Sequence, residues 1–280
     1  MTESTPADAA YQGQPGAFSE QAARRMCGAD AALLPCETLA DAFAAVAEGR
    51  ARSAVVPIEN TLAGPVPGVL RLLLASVFVV TGEVVEGIDH VLAAPPGASL
   101  DTVREVLSHP VALAQCTAFF KAHPRLRAVP AFDTAGAVQM VMRDGDVTRA
   151  ALGGRPAAAL YGASVIAEHL QDHESNYTRF VRVVQPPLGP APAGPARVML
   201  AARLAHRPGT LAAALQALAA AGANLTRIDS APVPGCPFEY EFFLEGTFDE
   251  ASAVDAAVSA LDGIARLRTL GRFDVLQASS

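Results

Sequence analysis

The sequence contains almost no lysine and has no excess of positive charge. Its 280 residues include 21 Lys and Arg against 28 Asp and Glu, a formal net charge of −7, and Lys121 is the only lysine. A negatively charged chain presents no basic face, so we expect no nucleic-acid partner. Schiff-base chemistry, or phosphate binding by a lysine, would have to rest on that one side chain.

Paired cysteines and long apolar runs are also missing. The four cysteines form no Cys-x-x-Cys pair: Cys27, Cys36, Cys116 and Cys236. We therefore expect buried reduced thiols and neither a disulfide framework nor a metal site. The most apolar stretch, 69–80, is interrupted by Arg71 and is too short to cross a bilayer, and residues 1–10 have no signal-peptide pattern. These absences predict a cytoplasmic protein without membrane contact.

Short apolar runs alternate with helical patterns over the first two thirds of the chain. Length and a hydrophobic content of 51% favour two domains with sizeable cores. Candidate strands are 9–11, 33–34, 53–58, 77–85, 90–94, 103–107, 128–132, 150–152 and 178–184. Helical patterns begin near Gly16, Thr38, Pro65, Pro110, Thr134 and Pro156. This alternation predicts α/β units on a mainly parallel sheet, with one helix over 110–121 and another over 134–143.

A proline-rich stretch separates this region from a compact second pattern. Residues 185–196 read QPPLGPAPAGPA, which is typical of a stiff, extended linker. Residues 197–276 then fit two helices, each flanked by two strands. Leu211, Leu215 and Leu218 lie on one face of the first helix. The predicted order is βαββαβ, a ferredoxin-like sandwich whose outer strands invite pairing with a second copy.

Polar or glycine-marked turns follow several strands of the first region. They occupy 13–19, 59–65, 108–110 and 133–135. In open α/β sheets, such turns at strand ends aim free helix N–H groups at anions. The turns lack the glycines of a dinucleotide loop and the Gly-Lys-Ser/Thr of a phosphate loop, so they indicate a pocket for a small acid with no metal or nucleotide.

Each polar residue in these turns also has a simple structural interpretation. Asn60, His109, Asp133 and Thr134 would all suit the start of a helix, and Gln115 would suit either a core or a cleft. His169 and His173 stand four residues apart without an obvious third ligand, which gives no ground for a metal site.

The stretch 176–180 combines three groups suited to an anionic substrate. Thr178 supplies a hydroxyl, Arg179 a fixed fork of donors for a carboxylate, and Phe180 an aromatic wall against water. If a strand has already begun at Thr178, residues 178 and 180 share one face and Arg179 lies on the other. Thr178 is therefore the stronger candidate.

Together, these turns resemble the signature of the prephenate dehydratase family over 9–185, and the βαββαβ pattern resembles the ACT regulatory domain of that family. Six motifs occur in the family's order: YQGQPGAFS from Tyr11, VPIENTLAG from Val56, SHPVALAQC from Ser108, DTA from Asp133, the 150–162 segment from AALG to YG, and NYTRF from Asn176. The resemblance covers nearly the whole chain after residue 8.

The resemblance implies a two-lobed fold, like that of periplasmic binding proteins, with the active site between the lobes. One lobe would contain 9–85 and 162–185, and the other 86–161. The implied reaction converts prephenate to phenylpyruvate, with loss of carbon dioxide and water and without a cofactor. Thr178 would be the catalytic residue. Residues implied to bind the substrate are Asn60, Thr61, Ser108, His109, Gln115, Thr134, Arg179 and Phe180.

The family's regulation by phenylalanine is implied less directly. Effector-binding residues would be Pro208, Gly209, Thr210, Leu211, Asn224, Leu225, Asp229 and Ser230, at an interface between two ACT domains of a homodimer or homotetramer. Ala231 and Asp229 depart from the usual Glu-Ser-Arg-Pro, and Ala17 and Val111 replace polar residues in the first region. The effector is therefore expected to be L-phenylalanine or another aromatic amino acid.

Two other functions remain open from sequence. The chain would equally suit an arogenate dehydratase, because arogenate differs from prephenate by an amino group in place of a keto group. It would also suit a non-catalytic, amino-acid-sensing binding protein, although Thr178 with its neighbours favours catalysis.

Overall fold

The computed structural model of the chain describes residues 5–190, 192–233, 235–236, 238–250 and 252–275. These residues form two compact units. The first unit contains the chain up to Val66 together with Val84–Phe180, and the second contains Pro67–Glu83 and the chain from Val181 onward. Predicted positions Ala191 of the linker, Ala251 of the last helix and Leu276 at the domain end lie outside the described residues.

The first sheet of the first unit is built largely as the alternating pattern predicts. Its elements are β1 (Ala9–Gln12), α1 (Phe18–Cys27), β2 (Leu33–Cys36), α2 (Leu39–Ala47), β3 (Ser53–Asn60), β4 (Gly64–Pro65) and the parts of β5 (Val79–Gly87) and β11 (Tyr177–Val184) that belong to this unit. The strand order is β5-β11-β3-β1-β2, and β1 runs parallel to both of its neighbours. Parallel strands place their carboxyl ends, and hence Asn60, at one edge.

The second sheet lies in the same unit and is mixed. Its elements are β6 (Val91–Ala94), β7 (Glu105–Ser108), α4 (Pro110–Ala114), α5 (Thr117–Ala122), β8 (Arg127–Pro130), α6 (Thr134–Asp144), β9 (Arg149–Gly153), α7 (Arg155–Leu160) and β10 (Ser164–Ala167). The order is β10-β6-β9-β7-β8, with β7 parallel to β8 and β9. Strand β10 is absent from the sequence prediction, which assigned 162–185 to the other lobe. Antiparallel pairing with β6 draws β10 into the second sheet.

Side-chain caps fix the helix starts that the sequence indicates. Thr38 and Asp41 form a reciprocal capping box at the start of α2. Asp133 caps α6 through the Gly136 N–H, and the left-handed Gly145 ends that helix. Gly16 has a φ of +91°, and a Cβ there would lie 2.7 Å from the Ala157 Cα. Glycine at position 16 therefore lets the first polar turn approach α7 closely.

The predicted single helix over 110–121 is wrong, because the chain breaks at Gln115 and Cys116. Asp172 explains the break: its carboxylate accepts from the Thr117 N–H at 3.0 Å and the Ala118 N–H at 2.8 Å, which starts a separate helix. Burial raises the pKa of the Asp172 carboxyl, but the hydrogen bonds that it accepts from Thr117 and Ala118 outweigh this effect. The net result is a lowered pKa. The break leaves Gln115 as the C-cap residue of α4.

The second unit has the predicted order βαββαβ. Its elements are β12 (Ala196–Leu204), α8 (Thr210–Ala220), β13 (Asn224–Pro232), β14 (Tyr240–Phe248), α9 (Ser252–Ala260) and β15 (Ala265–Asp274), together with α3 (Val69–Ala75) and the first residues of β5. The strands follow the order β13-β14-β12-β15. Leu218, Leu244 and Leu261 belong to the core between this sheet and its two helices.

Buried arginine contacts hold the early segment 67–83 to this unit. Arg197 on β12 contacts Glu83 on β5 and Glu245 on β14, each at 2.8 Å, and both carboxylates are buried. Arg268 on β15 donates to the Ser76 and Leu74 carbonyls at the end of α3, each at 2.6 Å. The segment therefore packs with residues that lie more than a hundred positions later in the sequence.

Candidate active site

Asn60, at the end of β3, is the centre of a polar cluster in the first unit. Its Oδ1 accepts from the backbone N–H groups of Leu62 and Ala63 at 2.9 and 2.8 Å. Backbone N–H groups only donate, so these two bonds identify the oxygen end of the amide. The Nδ2 end of Asn60 must then face the segment that leads into β11.

Three acceptors on that segment surround the Asn60 Nδ2. The Thr178 Oγ1 lies at 2.9 Å, the Asn176 Oδ1 at 2.8 Å and the Tyr177 carbonyl at 3.0 Å. Asn176 and Thr178 are 1% and 9% exposed, so these two side chains are shielded from water. Thr178 accepts from Asn60, and its own proton has no acceptor among the residues that the structure describes. Thr178 is therefore held as a hydrogen-bond donor for a further group.

Gln115 and His90 close the cluster on the side of the second sheet. The Gln115 Oε1 accepts from the Asn176 Nδ2 at 3.0 Å, and its Nε2 donates to the Asn60 Oδ1 at 3.3 Å. The His90 Nε2 lies 3.2 Å from the same Gln115 Oε1, and its ring meets the edge of Phe18. The structure thus brings together Asn60, Gln115 and Thr178, three of the site residues that the resemblance implied.

Thr61 anchors the segment before β11. Its N–H donates to the Tyr177 carbonyl at 2.9 Å, and its hydroxyl donates to the Ser175 carbonyl and accepts from the Tyr177 N–H, both at 3.0 Å. The hydroxyl proton of this side chain and one of its two lone pairs are used locally. Thr61 therefore fixes the backbone that carries Thr178.

Ser108 ends β7, His109 follows it, and Thr134 lies at the start of α6. The buried Ser108 hydroxyl donates to the Leu152 carbonyl at 2.7 Å, joining β7 to β9. The His109 Nδ1 accepts from the Val111 N–H at 3.2 Å, and burial lowers the His109 pKa although the Asp133 charge opposes this. Thr134 is the first residue of α6. None of the three has a hydrogen bond to the Asn60 cluster within the described part of the chain.

Arg179 and Phe180 lie on different faces of β11, which begins at Tyr177. Arg179 forms an ion pair with Glu59 at 3.3 Å. Phe180 is buried in the core of the first unit with Tyr11, Val55 and Val84. The alternation of side chains along β11 thus places Thr178 and Arg179 on opposite faces of the strand.

Sequence reasoning missed His90 and Asn176 as members of the site. Asn176 opens the quoted 176–180 motif, so its position two residues before Thr178 was an available signal. His90 opens the predicted apolar strand 90–94, and nothing local distinguishes it from a core histidine. Its contact with Gln115 joins residues 25 positions apart.

The described residues offer no group of three or more His, Cys, Asp or Glu that would hold a metal. All four cysteines are free thiols, and burial raises the pKa of Cys116 to about 12. Across the same ranges, no helix is long and apolar enough to span a membrane.

The candidate effector residues of the second unit fall at two ends of its sheet. Strands β12 and β13 both pair antiparallel with β14, so their carboxyl ends share one edge. Ser230 lies in the row of Phe242 and Ala202, at the same end as 208–211, whereas Asn224 pairs with Thr247 at the opposite end. A cavity of about 340 Å³ at the first end is lined by Leu204, Ala205, His206, Arg207, Thr210, Leu211, Glu239, Tyr240 and Phe242.

The first unit is thus an α/β domain of two sheets that carries a partly buried polar cluster. The family model of prephenate dehydratase matches residues 9–187, and the chain belongs to the prephenate dehydratase family.

Relatives and solved structures agree with this assignment. The chain is 37% identical over 240 residues to a bifunctional N-acyl-homoserine lactone acylase/prephenate dehydratase of Komagataeibacter europaeus, covering 85% of this chain and 81% of that protein. It is 34% identical to arogenate dehydratase 5 of Arabidopsis thaliana over 94% of this chain, and spans 66% of the plant protein's length. A prephenate dehydratase from Arthrobacter aurescens, solved in complex with L-Phe, superposes with a TM-score of 0.86 at 31% identity, covering 95% of this chain and 90% of that one.

Proposed function

We propose that the chain catalyses the decarboxylating dehydration of prephenate to phenylpyruvate. Prephenate is a cyclohexadienol dicarboxylate. The bond from the ring to its carboxylate breaks to release carbon dioxide, and the electron pair completes the aromatic ring as the ring hydroxyl departs. One proton is consumed and water leaves. Aromatisation drives both losses, so the enzyme needs to orient the substrate and assist the departing hydroxyl.

The hydrogen bond from the Asn60 Nδ2 to the Thr178 Oγ1 carries this proposal. Because Thr178 accepts from Asn60, its own O–H is left to donate to the departing hydroxyl. An alcohol is too weak an acid to give up its proton outright, so the assistance is a hydrogen bond that strengthens as charge develops. The low exposure of Thr178 and Asn176 strengthens that bond by excluding water.

The remaining site residues would orient the two carboxylates. Gln115 keeps one N–H beyond its bond to Asn60, and Thr134 stands at the start of α6, so both suit direct contact. Ser108, His109 and Thr61 are engaged in local hydrogen bonds and would support these contacts from behind. Arg179 is paired with Glu59, which favours an electrostatic role beside the site.

The βαββαβ unit is proposed to be an ACT regulatory domain that binds L-phenylalanine. The Arthrobacter aurescens prephenate dehydratase was solved in complex with L-Phe, which supports this choice of effector. The candidate contacts lie at the two ends of one sheet. They can bind the same ligand if a second copy of the chain supplies one of the two sets. A homodimer or homotetramer would supply the second copy. We further propose that the protein is cytoplasmic and needs no cofactor.

One assay tests the proposed reaction against its alternatives. The purified chain is incubated with prephenate, and phenylpyruvate is followed by its absorbance in alkali; with arogenate, phenylalanine is followed by chromatography. Thr178→Val, purified in the same way, controls for a contaminating host enzyme. Turnover of prephenate supports the proposal, and turnover of arogenate alone identifies an arogenate dehydratase. No turnover of either acid would leave a binding protein.

A further inference from the structure

His90 lies against the polar cluster but has no part in the proposed chemistry. It precedes β6 and is 2% exposed, with its backbone held at both ends: its N–H donates to the Gln171 Oε1 at 2.9 Å, and its carbonyl accepts from the Leu170 N–H at 3.1 Å. The Phe18 ring packs against the imidazole with 5.9 Å between centroids. The ring position is therefore fixed independently of Gln115.

The protonation of the His90 ring follows from the bonds around Asn60. The Leu62 and Ala63 N–H groups fix the Asn60 oxygen, so the Asn60 Nδ2 donates to the Asn176 Oδ1. The nitrogen of Asn176 then faces Gln115, and the atom that accepts from it must be the Gln115 Oε1.

That same Gln115 oxygen lies 3.2 Å from the His90 Nε2. An amide oxygen only accepts, so the Nε2 must carry a proton and donate. The His90 Nδ1 is buried and has no hydrogen-bond partner within the described ranges. A second proton there would place a charge in a buried site without an acceptor. Burial lowers the His90 pKa, although the Gln115 contact and the Asp89 charge oppose this.

We propose that His90 is a positioning residue for the dehydration: as the neutral Nε2–H tautomer, it holds the Gln115 carboxamide in the orientation that orders Asn176 and Asn60 around Thr178. The proposal rests on the proposed function. Without the His90 donor, one bond fixing the Gln115 oxygen is lost and only the bonds to Asn176 and Asn60 still oppose rotation of the amide. A turned Gln115 would offer its nitrogen to the Asn176 nitrogen and its oxygen to the Asn60 oxygen, both mismatched pairs.

The tautomer is tested by nitrogen-15 NMR on the full chain, without any substrate. The sequence has six histidines, and the His90 signals are assigned as those that His90→Gln removes. The expected spectrum near neutral pH shows a protonated Nε2 and an unprotonated Nδ1. A protonated Nδ1, alone or together with Nε2, would overturn the proposal. This result does not depend on activity, so inactive wild-type protein would refute the proposed function and leave the tautomer result standing.

The positioning role is tested by kinetics with two replacements of His90. Leu removes the donor, whereas Gln can present an amide N–H near the position of the Nε2. His90→Leu should lower kcat by roughly 10- to 100-fold, with a smaller change in KM, and His90→Gln should recover most of the loss. Thermal unfolding of each variant checks the fold.

A double-mutant cycle separates positioning from general support. In a Gln115→Leu background, His90→Leu should lower kcat by no more than about threefold, because the residue through which His90 acts is gone. An equal fold-loss in both backgrounds contradicts the proposal. If His90→Leu does not fold, the same cycle is run with His90→Asn, whose shorter amide does not reach Gln115.

Discussion

The two units of the chain assemble their candidate sites in different ways. In the first unit, hydrogen bonds connect Asn60, Gln115 and Thr178, three residues from distant parts of one chain, into one partly buried cluster. In the second unit, Asp229 and Ser230 lie near 208–211, whereas Asn224 and Leu225 lie at the other end of β13. The candidate catalytic residues are therefore connected within one chain, but the proposed effector site is split along one strand. We therefore expect single substitutions in the candidate site of the first unit to lower activity strongly. In the second unit, we expect their effect on effector binding to depend on the oligomeric state.

The largest effect is expected for Thr178→Val, which keeps the shape of the side chain and removes the hydroxyl. Loss of the donor to the departing hydroxyl should lower kcat by roughly 10³-fold, with the melting temperature close to wild type. Steady-state kinetics with prephenate and a thermal melt measure both quantities. Thr178→Ser retains the hydroxyl and should keep much of the activity. Near-normal turnover by the Val variant would show that the polar cluster is not the catalytic centre.

A second prediction concerns the stability of the second unit, away from its proposed effector site. Arg197→Met removes the guanidinium between the buried Glu83 and Glu245 carboxylates. Breaking a buried pair from one side is expected to lower the free energy of unfolding by about 3 kcal/mol. Urea unfolding followed by circular dichroism measures the change.

Arg203→Met is the matched control for this measurement. Arg203 lies on the same strand and pairs with Glu239, but both side chains are substantially exposed. Water already screens this pair, so its loss should change stability far less. Equal effects of the two variants would mean that burial of the contacts between Arg197 and its two glutamates contributes nothing to the free energy of unfolding.

Sequence patterns predict the elements well because these patterns are local. The capping role of Asp133, the order βαββαβ and the alternation of Thr178 with Arg179 all follow from neighbours within a few residues. The family resemblance supplied Asn60 and Gln115 as partners of Thr178. Both units thus have folds that are largely readable from periodicity, whereas only the first has a site whose residues the structure connects.

The features that were missed depend on contacts between distant residues. Asp172 starts α5 from 55 positions away, so no helical pattern over 110–121 reveals the break beside Gln115. Strand β10 carries only the short apolar run 165–167 and is defined by its pairing with β6. His90 likewise becomes a site residue only through its contact with Gln115. Tertiary hydrogen bonds of this kind leave no periodic signal.

A third prediction concerns close backbone packing in the second unit. A Cβ on Gly271 would lie 2.8 Å from the Val80 carbonyl oxygen and 2.9 Å from the Val80 Cβ, where β15 meets β5. Gly271→Ala should therefore destabilise the chain by about 2 kcal/mol through overpacking. Gly194→Ala, where a Cβ meets nothing within 4 Å, is the control and should change stability by less than about 0.5 kcal/mol. Equal stability of both variants would contradict the strand contact.

The smallest expected effect concerns the split site itself. If a second copy supplies one half of the effector site, Asp229→Ala and Asn224→Ala should each raise the Kd for L-phenylalanine by roughly tenfold, the loss of one or two hydrogen bonds. Titration calorimetry measures the Kd, and light scattering shows whether each variant keeps the oligomeric state of the wild type.

The two variants then separate a shared site from a self-contained one. Asn224 and Asp229 lie on the same strand five residues apart, so a ligand within one copy that contacts 208–211 reaches Asp229 much more readily than Asn224. Binding weakened by both substitutions, with the assembly intact, places the effector between copies. Binding weakened by Asp229→Ala alone assigns the effector to the end of the sheet that carries Asp229 and Ser230, within a single chain. Absence of any heat with phenylalanine, tyrosine or tryptophan would remove the effector site from the second unit altogether.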